Sequence, residues 1–531
     1  MQKLLYPLFL IFAIATFLIL SFKNPYGTSS LIGNFDPFPD SLHYVVPARN
    51  FVDGSGFSFA REGGKTTIGV PPLYSLTLIP IYFFSSDARS YYFANLILGV
   101  ISIILLFKIS RKLTKSVWTT GLLLFTYVTS FVIYWQTSLA MAENILLPIC
   151  FGGLYLALQP LNTKNLVLAT FLAVACYGSK YVSLPITGIF LLFWTWRIWT
   201  EQKKSQRLQN ILLLVILALA TFLLFNGQHF FNYIGQLFQR NLHSDLRAQE
   251  QTSWLSLQYF SESFPKYFNA LMGAPIYNLW YTKAILPTGL AGIVLSWCVY
   301  AIFKLLKQRK LATLLLALTF SQLAFLSIIQ MIEGRYAFIF IPIIFTGTAT
   351  MFGWLVKKGE KKFGQKITNF LQIGSVGFLA GTFLLMNFKD LKTQLLLNFK
   401  GGEMPWWQVG VQTADQFIQT EMEKTDQKLI IISSLSPFVW DFYRQNDYTI
   451  LPLSANQSMI KEKIWGEDFD PNQLMAYYQE QLQAGRAIYL TTVGFGRNDW
   501  PILEEYKTNG FILELLKEDC VGACKIFKIS Q

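Results

Sequence analysis

Charge is scarce in this sequence. Only 14% of its 531 residues are Asp, Glu, Lys or Arg, against 53% hydrophobic and 16% aromatic residues. That balance excludes an ordinary soluble enzyme. Cysteine is scarce too: Cys150, Cys176 and Cys298 lie inside apolar runs as small core residues, so no disulfide framework organises the chain. Cys520 and Cys524 sit in a polar stretch, where an oxidising compartment permits a disulfide. With no second pair and no histidine beside them, their spacing is weak evidence for a metal site. Internal repeats and low-complexity tracts are absent. The glycines of "TTVGFGRNDW" fall short of a dinucleotide-binding fingerprint.

What the sequence has in abundance is apolar length. Runs of bilayer-spanning size recur from residue 5 to residue 388, and each helical crossing takes about 20 residues. They predict a polytopic α-helical membrane protein with spans near 5–22, 90–107, 117–135, 143–158, 165–179, 182–197, 209–226, 284–303, 311–331, 337–355 and 368–388. The net charge of +13 is gathered between them. One loop carries Lys108, Arg111, Lys112 and Lys115, and a second Arg197, Lys203, Lys204 and Arg207. A third carries Lys304, Lys307, Arg309 and Lys310, and a fourth Lys357, Lys358, Lys361, Lys362 and Lys366; only Glu201 and Glu360 oppose them. Short loops rich in Lys and Arg stay cytoplasmic, so these clusters set orientation and call for no nucleic acid or other polyanion. The N-terminus is then inside, and segments 23–89, 136–142, 180–181, 227–283, 332–336 and everything after 389 are outside. The first span follows a lysine and is short, which also fits a cleaved signal peptide. The lack of a small-residue cleavage site favours a retained anchor in the inner or plasma membrane.

Residues 1–400 are thus expected to form one transmembrane domain of about eleven helices, with long external loops at 23–89 and 227–283. In the first, "GVPPLYSLTLIPIYFF" is apolar but short and broken by proline, fitting a half-span or interfacial helix. The second, with "WLSLQYFSESF", predicts an amphipathic segment on the membrane surface. Beyond 401 the composition is that of a soluble domain. Helical patterning at 407–423, 472–485 and 499–508 alternates with strand-like "KLIIISS", "YTILPL", "AIYLTT", "FILELL" and "KIFKIS", predicting a small extracytoplasmic α/β domain at 401–531. Its 11 basic residues against 18 acidic ones give the wrong sign for nucleic acid.

Four places on the predicted outer face carry candidate chemistry. In "DSLHYVVPARNF", a helix starting at Asp40 would put Asp40, His43 and Tyr44 on one face, although Asp40 serves equally as a simple helix cap. Glu143 opens the fourth span, where a carboxylate is costly unless solvated or paired; the plainer reading is a charge meeting a helix N-terminal dipole. Lys180 lies on an external turn against the usual charge bias, as a phosphate ligand or as a lysine snorkelling to head groups. Arg335 and Tyr336, in "EGRYAF" on another short turn, suit a phosphate clamp. A carboxylate to take a proton and cations to stabilise a departing phosphate are what a hydroxyl nucleophile and a phosphate-linked donor require.

These stretches, in order over roughly residues 1–355, resemble GT-C glycosyltransferases of the dolichyl-phosphate-mannose protein mannosyltransferase and lipid A aminoarabinose transferase group. "PDSLHYVVPARNFVDGSGF" is similar to the acidic first-loop motif, "GVPPLYSLTLIP" to the proline-rich segment after it, and "SLAMAEN" to the second acidic site. "YGSKYVSLP" is similar to the lysine-containing turn and "GRYAFIFIP" to the Arg-Tyr-Pro element. The resemblance implies inverting transfer of a sugar from a polyprenyl-phosphate donor to a lipid, glycan or protein acceptor at the outer face. Asp40 would be the general base and Glu143 a residue orienting the acceptor or holding a cation. Lys180, Arg335 and Tyr336 would bind the lipid phosphate. The chain departs from the family in two places: Ser41 follows Asp40 where many relatives have a second carboxylate, and "IGVPPLY" lacks the Glu-Lys of the aminoarabinose transferases. No cofactor is therefore expected to be required, although Asp40, His43 and Glu143 could make a partial site for a divalent cation. The alternative is a transporter or flippase for lipid-linked glycans, or a noncatalytic binding protein; transporters place ionisable groups nearer the midplane and show repeats.

Overall fold

The computed structural model describes residues 2–22, 40–54, 56–57, 70–226, 257–271, 309–329, 334–400, 416–421, 429–433, 449–453, 473–492, 500–520 and 524–531, with positions 414 and 423. In chain order its helices are α1 (Gln2–Ser21), α2 (Asp40–Val52), α3 (Leu73–Tyr82), α4 (Tyr91–Thr114), α5 (Val117–Val128), α6 (Phe131–Gln136) and α7 (Glu143–Ala157). They continue with α8 (Thr163–Ser179), α9 (Leu184–Glu201), α10 (Lys204–Asn226), α11 (Phe260–Leu271), α12 (Arg309–Leu326), α13 (Phe340–Lys400), α14 (Leu474–Gln483) and α15 (Trp500–Thr508). Five strands follow the same order: β1 (Ile430–Ser433), β2 (Thr449–Pro452), β3 (Ile488–Thr491), β4 (Ile512–Cys520) and β5 (Cys524–Ser530). The chain forms two compact units. One comprises Met1–Phe22, Val70–Tyr74 and Phe93–Phe399; the other comprises Lys23–Gly69, Ser75–Tyr92 and Lys400–Gln531.

In the first unit the apolar runs have become helices wherever the predicted spans fall on described residues; the span at 284–303 lies outside them. Among the described residues, five stretches are long and apolar enough to cross a membrane: Leu4–Ser21, Ala88–Thr114, Tyr181–Glu201, Lys204–Phe225 and Arg335–Leu396. On α10, Leu208, Leu212, Ile216, Leu219 and Leu223 are all exposed. An uncovered apolar stripe of that kind belongs against lipid. One expected span has an internal break. The run 117–135 is divided between α5 and α6, where Thr129 Oγ1 donates to Phe125 O at 2.6 Å and Ser130 Oγ donates back to Thr126 O, and such back-bonding competes with the helical ladder. Helix α13 covers the predicted spans 337–355 and 368–388 with a kink at Gly364, in the expected loop between them, where a φ of 76° suits glycine.

Helix α7 lies at the centre of this unit and is buried along nearly its whole length. Its small residues permit the fit: a Cβ on Gly153 would come within 2.9 Å of Phe190, and one on Gly152 within 2.9 Å of Leu172. The Tyr127 ring meets Phe151 at 5.7 Å and Phe345 at 5.3 Å, tying α5, α7 and α13 together edge to face. Helix α11 is amphipathic. Ser263, Tyr267 and Ala270 are buried, while Phe260, Phe264 and Phe268 stack along another face at 4.9 and 5.7 Å. Helix α3, at ten residues, is too short to cross a bilayer.

The second unit holds a five-stranded sheet of order β2-β1-β3-β5-β4. β1 pairs in parallel with β2 and β3, and β5 runs antiparallel to β3 and β4. All five strand-like runs read from the sequence are strands, since Ile430, Ile432, Leu451, Ile488, Leu490 and Ile529 supply a buried β-branched and leucine core. Tyr478 donates to Pro452 O, and Tyr506 to Leu453 O at 2.7 Å. Burial pushes both phenols well above their usual range, so they remain donors. Cys520 and Cys524 are register partners of the β4–β5 hairpin.

Candidate active site

The site begins with the irregular turn that delivers Glu143. Between α6 and α7 the backbone leaves the helical ladder, so its carbonyls need other donors. Two asparagines provide them. Asn144 Nδ2 donates to the carbonyls of Gln136 (3.2 Å), Leu139 (2.8 Å) and Met141 (3.1 Å), and Asn95 Nδ2, from α4, donates to those of Thr137 (3.0 Å) and Leu139 (2.8 Å). Tyr74, from the proline-rich segment, completes the clamp by donating to Asn95 Oδ1 at 2.6 Å. An Asn95→Ala variant takes one donor from the buried Thr137 and Leu139 carbonyls and one acceptor from the Tyr74 hydroxyl. It is expected to lose about 1–3 kcal/mol of stability, read as a lower unfolding midpoint of detergent-purified protein.

Glu143 has no exposed surface and Lys180 only 6%. They form an ion pair through Lys180 Nζ and Glu143 Oε1, which is how a buried carboxylate and a buried ammonium become tolerable together. Glu143 Oε2 has no hydrogen-bond partner among the described residues. Lys180 is the residue where α8 ends, its backbone extended (φ −156°, ψ 126°). Ser183 Oγ donates to Lys180 O at 2.6 Å, and Gln322 Nε2 of α12 to Val182 O at 2.8 Å. The backbone around the lysine is thus pinned from two elements.

The third component arrives on the 3-10 turn Gly334–Ile339, which packs against α7. The buried ring of Tyr336 has Lys180 Nζ 5.0 Å and Arg335 Cζ 5.8 Å from its centroid, both within cation–π range. Arg335 Nη1 also reaches Met141 Sδ at 3.7 Å, on the turn preceding Glu143. Glu143, Lys180, Arg335 and Tyr336, separated by as much as 193 residues in sequence, are thus assembled in one cluster. The arrangement offers one carboxylate and two cations around a phenol, suited to an anion that must be held and then released with more charge.

Asp40, His43 and Tyr44 belong to the other unit. Asp40 is the first residue of α2, so the three share a helical face by spacing; Tyr44 is buried and His43 partly so. Glu333 lies outside the described residues. Among the described residues no three of His, Cys, Asp and Glu gather in the manner of a metal site. The clamp residues Tyr74, Asn95 and Asn144 went unnoticed in the sequence, although an amide inside the apolar "FANLILGV" is the kind of polar group that seldom enters a span without a partner.

No family model and no curated protein sequence matches the chain. Its three-dimensional structure does have likenesses. ArnT from Cupriavidus metallidurans bound to undecaprenyl phosphate superposes with a TM-score of 0.60 at 13% identity, over 98% of this chain and 97% of that one. The apo state of the same protein gives 0.61 at 13%, with the same coverage. The Archaeoglobus fulgidus oligosaccharyltransferase in complex with Zn and sulfate gives 0.53 at 11%, over 91% of this chain and 67% of that one. The likeness is one of fold: the chain is an integral membrane protein of GT-C-like architecture, carrying a small C-terminal α/β sheet.

Proposed function

We propose that the protein is a glycosyltransferase that moves a sugar from a polyprenyl-phosphate donor to an acceptor hydroxyl on the outer face of the cell membrane. The acceptor is a lipid, a glycan or a protein. The observation that carries this reading is the joint approach of Lys180 and Arg335 to Tyr336 beside the buried Glu143. It is supported by the fold shared with ArnT, which was crystallised with undecaprenyl phosphate. In this reaction the Asp40 carboxylate takes the acceptor proton as the oxygen attacks the anomeric carbon, and the bond from that carbon to the phosphate oxygen breaks. The phosphate leaves with a second negative charge. Lys180 and Arg335 stabilise that charge as it develops, Tyr336 donates a further hydrogen bond, and Glu143 orients the acceptor. Direct displacement from the opposite face inverts the anomeric centre.

Orientation follows the basic loops, with the N-terminus cytoplasmic and residues 401–531 extracytoplasmic. A divalent cation, with Asp40, His43 and Glu143 as its candidate donors, has no part in these steps. The test is to incubate the purified protein in lipid with acceptor-containing membrane extract and a panel of polyprenyl-phosphate sugars. One donor should be consumed, with release of polyprenyl phosphate in equal amount; a panel left wholly intact would remove the proposal.

A further inference from the structure

The roles just proposed give Lys180 to the donor phosphate and Glu143 to the acceptor, yet Lys180 is seated on Glu143. Both side chains are withdrawn from solvent, where an unscreened carboxylate and phosphate at one ammonium repel each other strongly. An arriving phosphate and Glu143 therefore compete for the same cation. We propose that the pair is a placeholder: donor phosphate replaces Glu143 on Lys180, and that replacement frees the carboxylate for the acceptor. This inference rests on the proposed donor class.

Three features make the exchange a side-chain event. The backbone around Lys180 is held by Ser183 and by Gln322, so the lysine moves through its flexible four-carbon stem. The Tyr336 ring already lies 5.0 Å from the ammonium while it holds Glu143, with the Arg335 guanidinium at 5.8 Å on the same ring, so the ammonium can turn from the carboxylate without leaving the ring. Two cations on one ring gather positive charge at a place where a phosphate can be held. On the other side, Glu143 already has one oxygen without a partner among the described residues, and once the ammonium leaves, both oxygens can accept from a hydroxyl. Binding is consequently ordered, with the donor first. A neutral polyprenol of the same length brings no charge to open the pair.

The test measures binding of undecaprenyl phosphate, with undecaprenol as control, to wild type and to Glu143→Gln in lipid nanodiscs. Removing the competing charge should tighten the phosphate Kd by at least about tenfold while leaving undecaprenol unchanged and lowering transfer. Glu143→Asp keeps the charge but shortens its reach, and it decides the matter if the Gln variant fails to fold; it should tighten binding by about threefold. If wild type binds and neither folded variant binds more tightly, the exchange is wrong and the donor assignment stands. If wild type itself does not bind undecaprenyl phosphate, both fall.

Discussion

Asp40→Asn is expected to lower sugar transfer about a thousandfold, the usual scale for removing a general base, with the Kd for polyprenyl phosphate unchanged. Asparagine matches aspartate in shape and hydrogen-bonding reach but does not accept a proton at neutral pH. The groups assigned to the phosphate, Lys180, Arg335 and Tyr336, lie elsewhere in the chain. The loss should therefore appear in the chemical step under single-turnover conditions, with donor binding measured separately. His43 and Tyr44 follow on the same helix and would not replace the lost carboxylate. Unchanged glycan output in this variant would turn the argument toward a transporter or a binding protein.

Lys180→Met carries the largest expected effect on stability. It leaves Glu143 fully buried without its ammonium, and breaking a buried pair from one side costs about 3–5 kcal/mol. Pairing it with Glu143→Gln removes the stranded charge, so the double variant should recover most of that loss in thermal unfolding while still failing to bind donor. The non-additivity is the diagnostic quantity, because residues in contact couple whereas distant ones add. A double variant as unstable as Lys180→Met alone would locate the damage in packing rather than in charge.

Much of the fold, and the identity of the candidate residues, is legible in the sequence. Glu143 and Lys180 stand out as lone charges at the ends of apolar runs, and Arg335 as a cation on a short turn between two of them, because membrane burial makes such residues expensive. The strands at 430–433, 449–452, 488–491, 512–520 and 524–530 were written in short runs of β-branched residues. What the sequence withheld is partnership. Nothing in it joins Lys180 to Glu143 or puts Lys180 and Arg335 on one tyrosine ring, since those depend on how α7, α8 and the Gly334–Ile339 turn pack. The clamp of Tyr74, Asn95 and Asn144 was hidden for a different reason: its acceptors are backbone carbonyls, which every residue possesses. Similarly, the order β2-β1-β3-β5-β4 is set by connections that strand patterning does not encode. The break at Thr129 and Ser130 is masked in the sequence by the hydropathy around it.

Whether a sugar leaves its phosphate here is decided by adding labelled donor to one side of sealed vesicles bearing the protein. Label should pass to the acceptor on that side, polyprenyl phosphate should accumulate in equal amount, and the new linkage should have the opposite anomeric configuration. Intact donor recovered from the other leaflet, with no sugar released from phosphate, would contradict transfer.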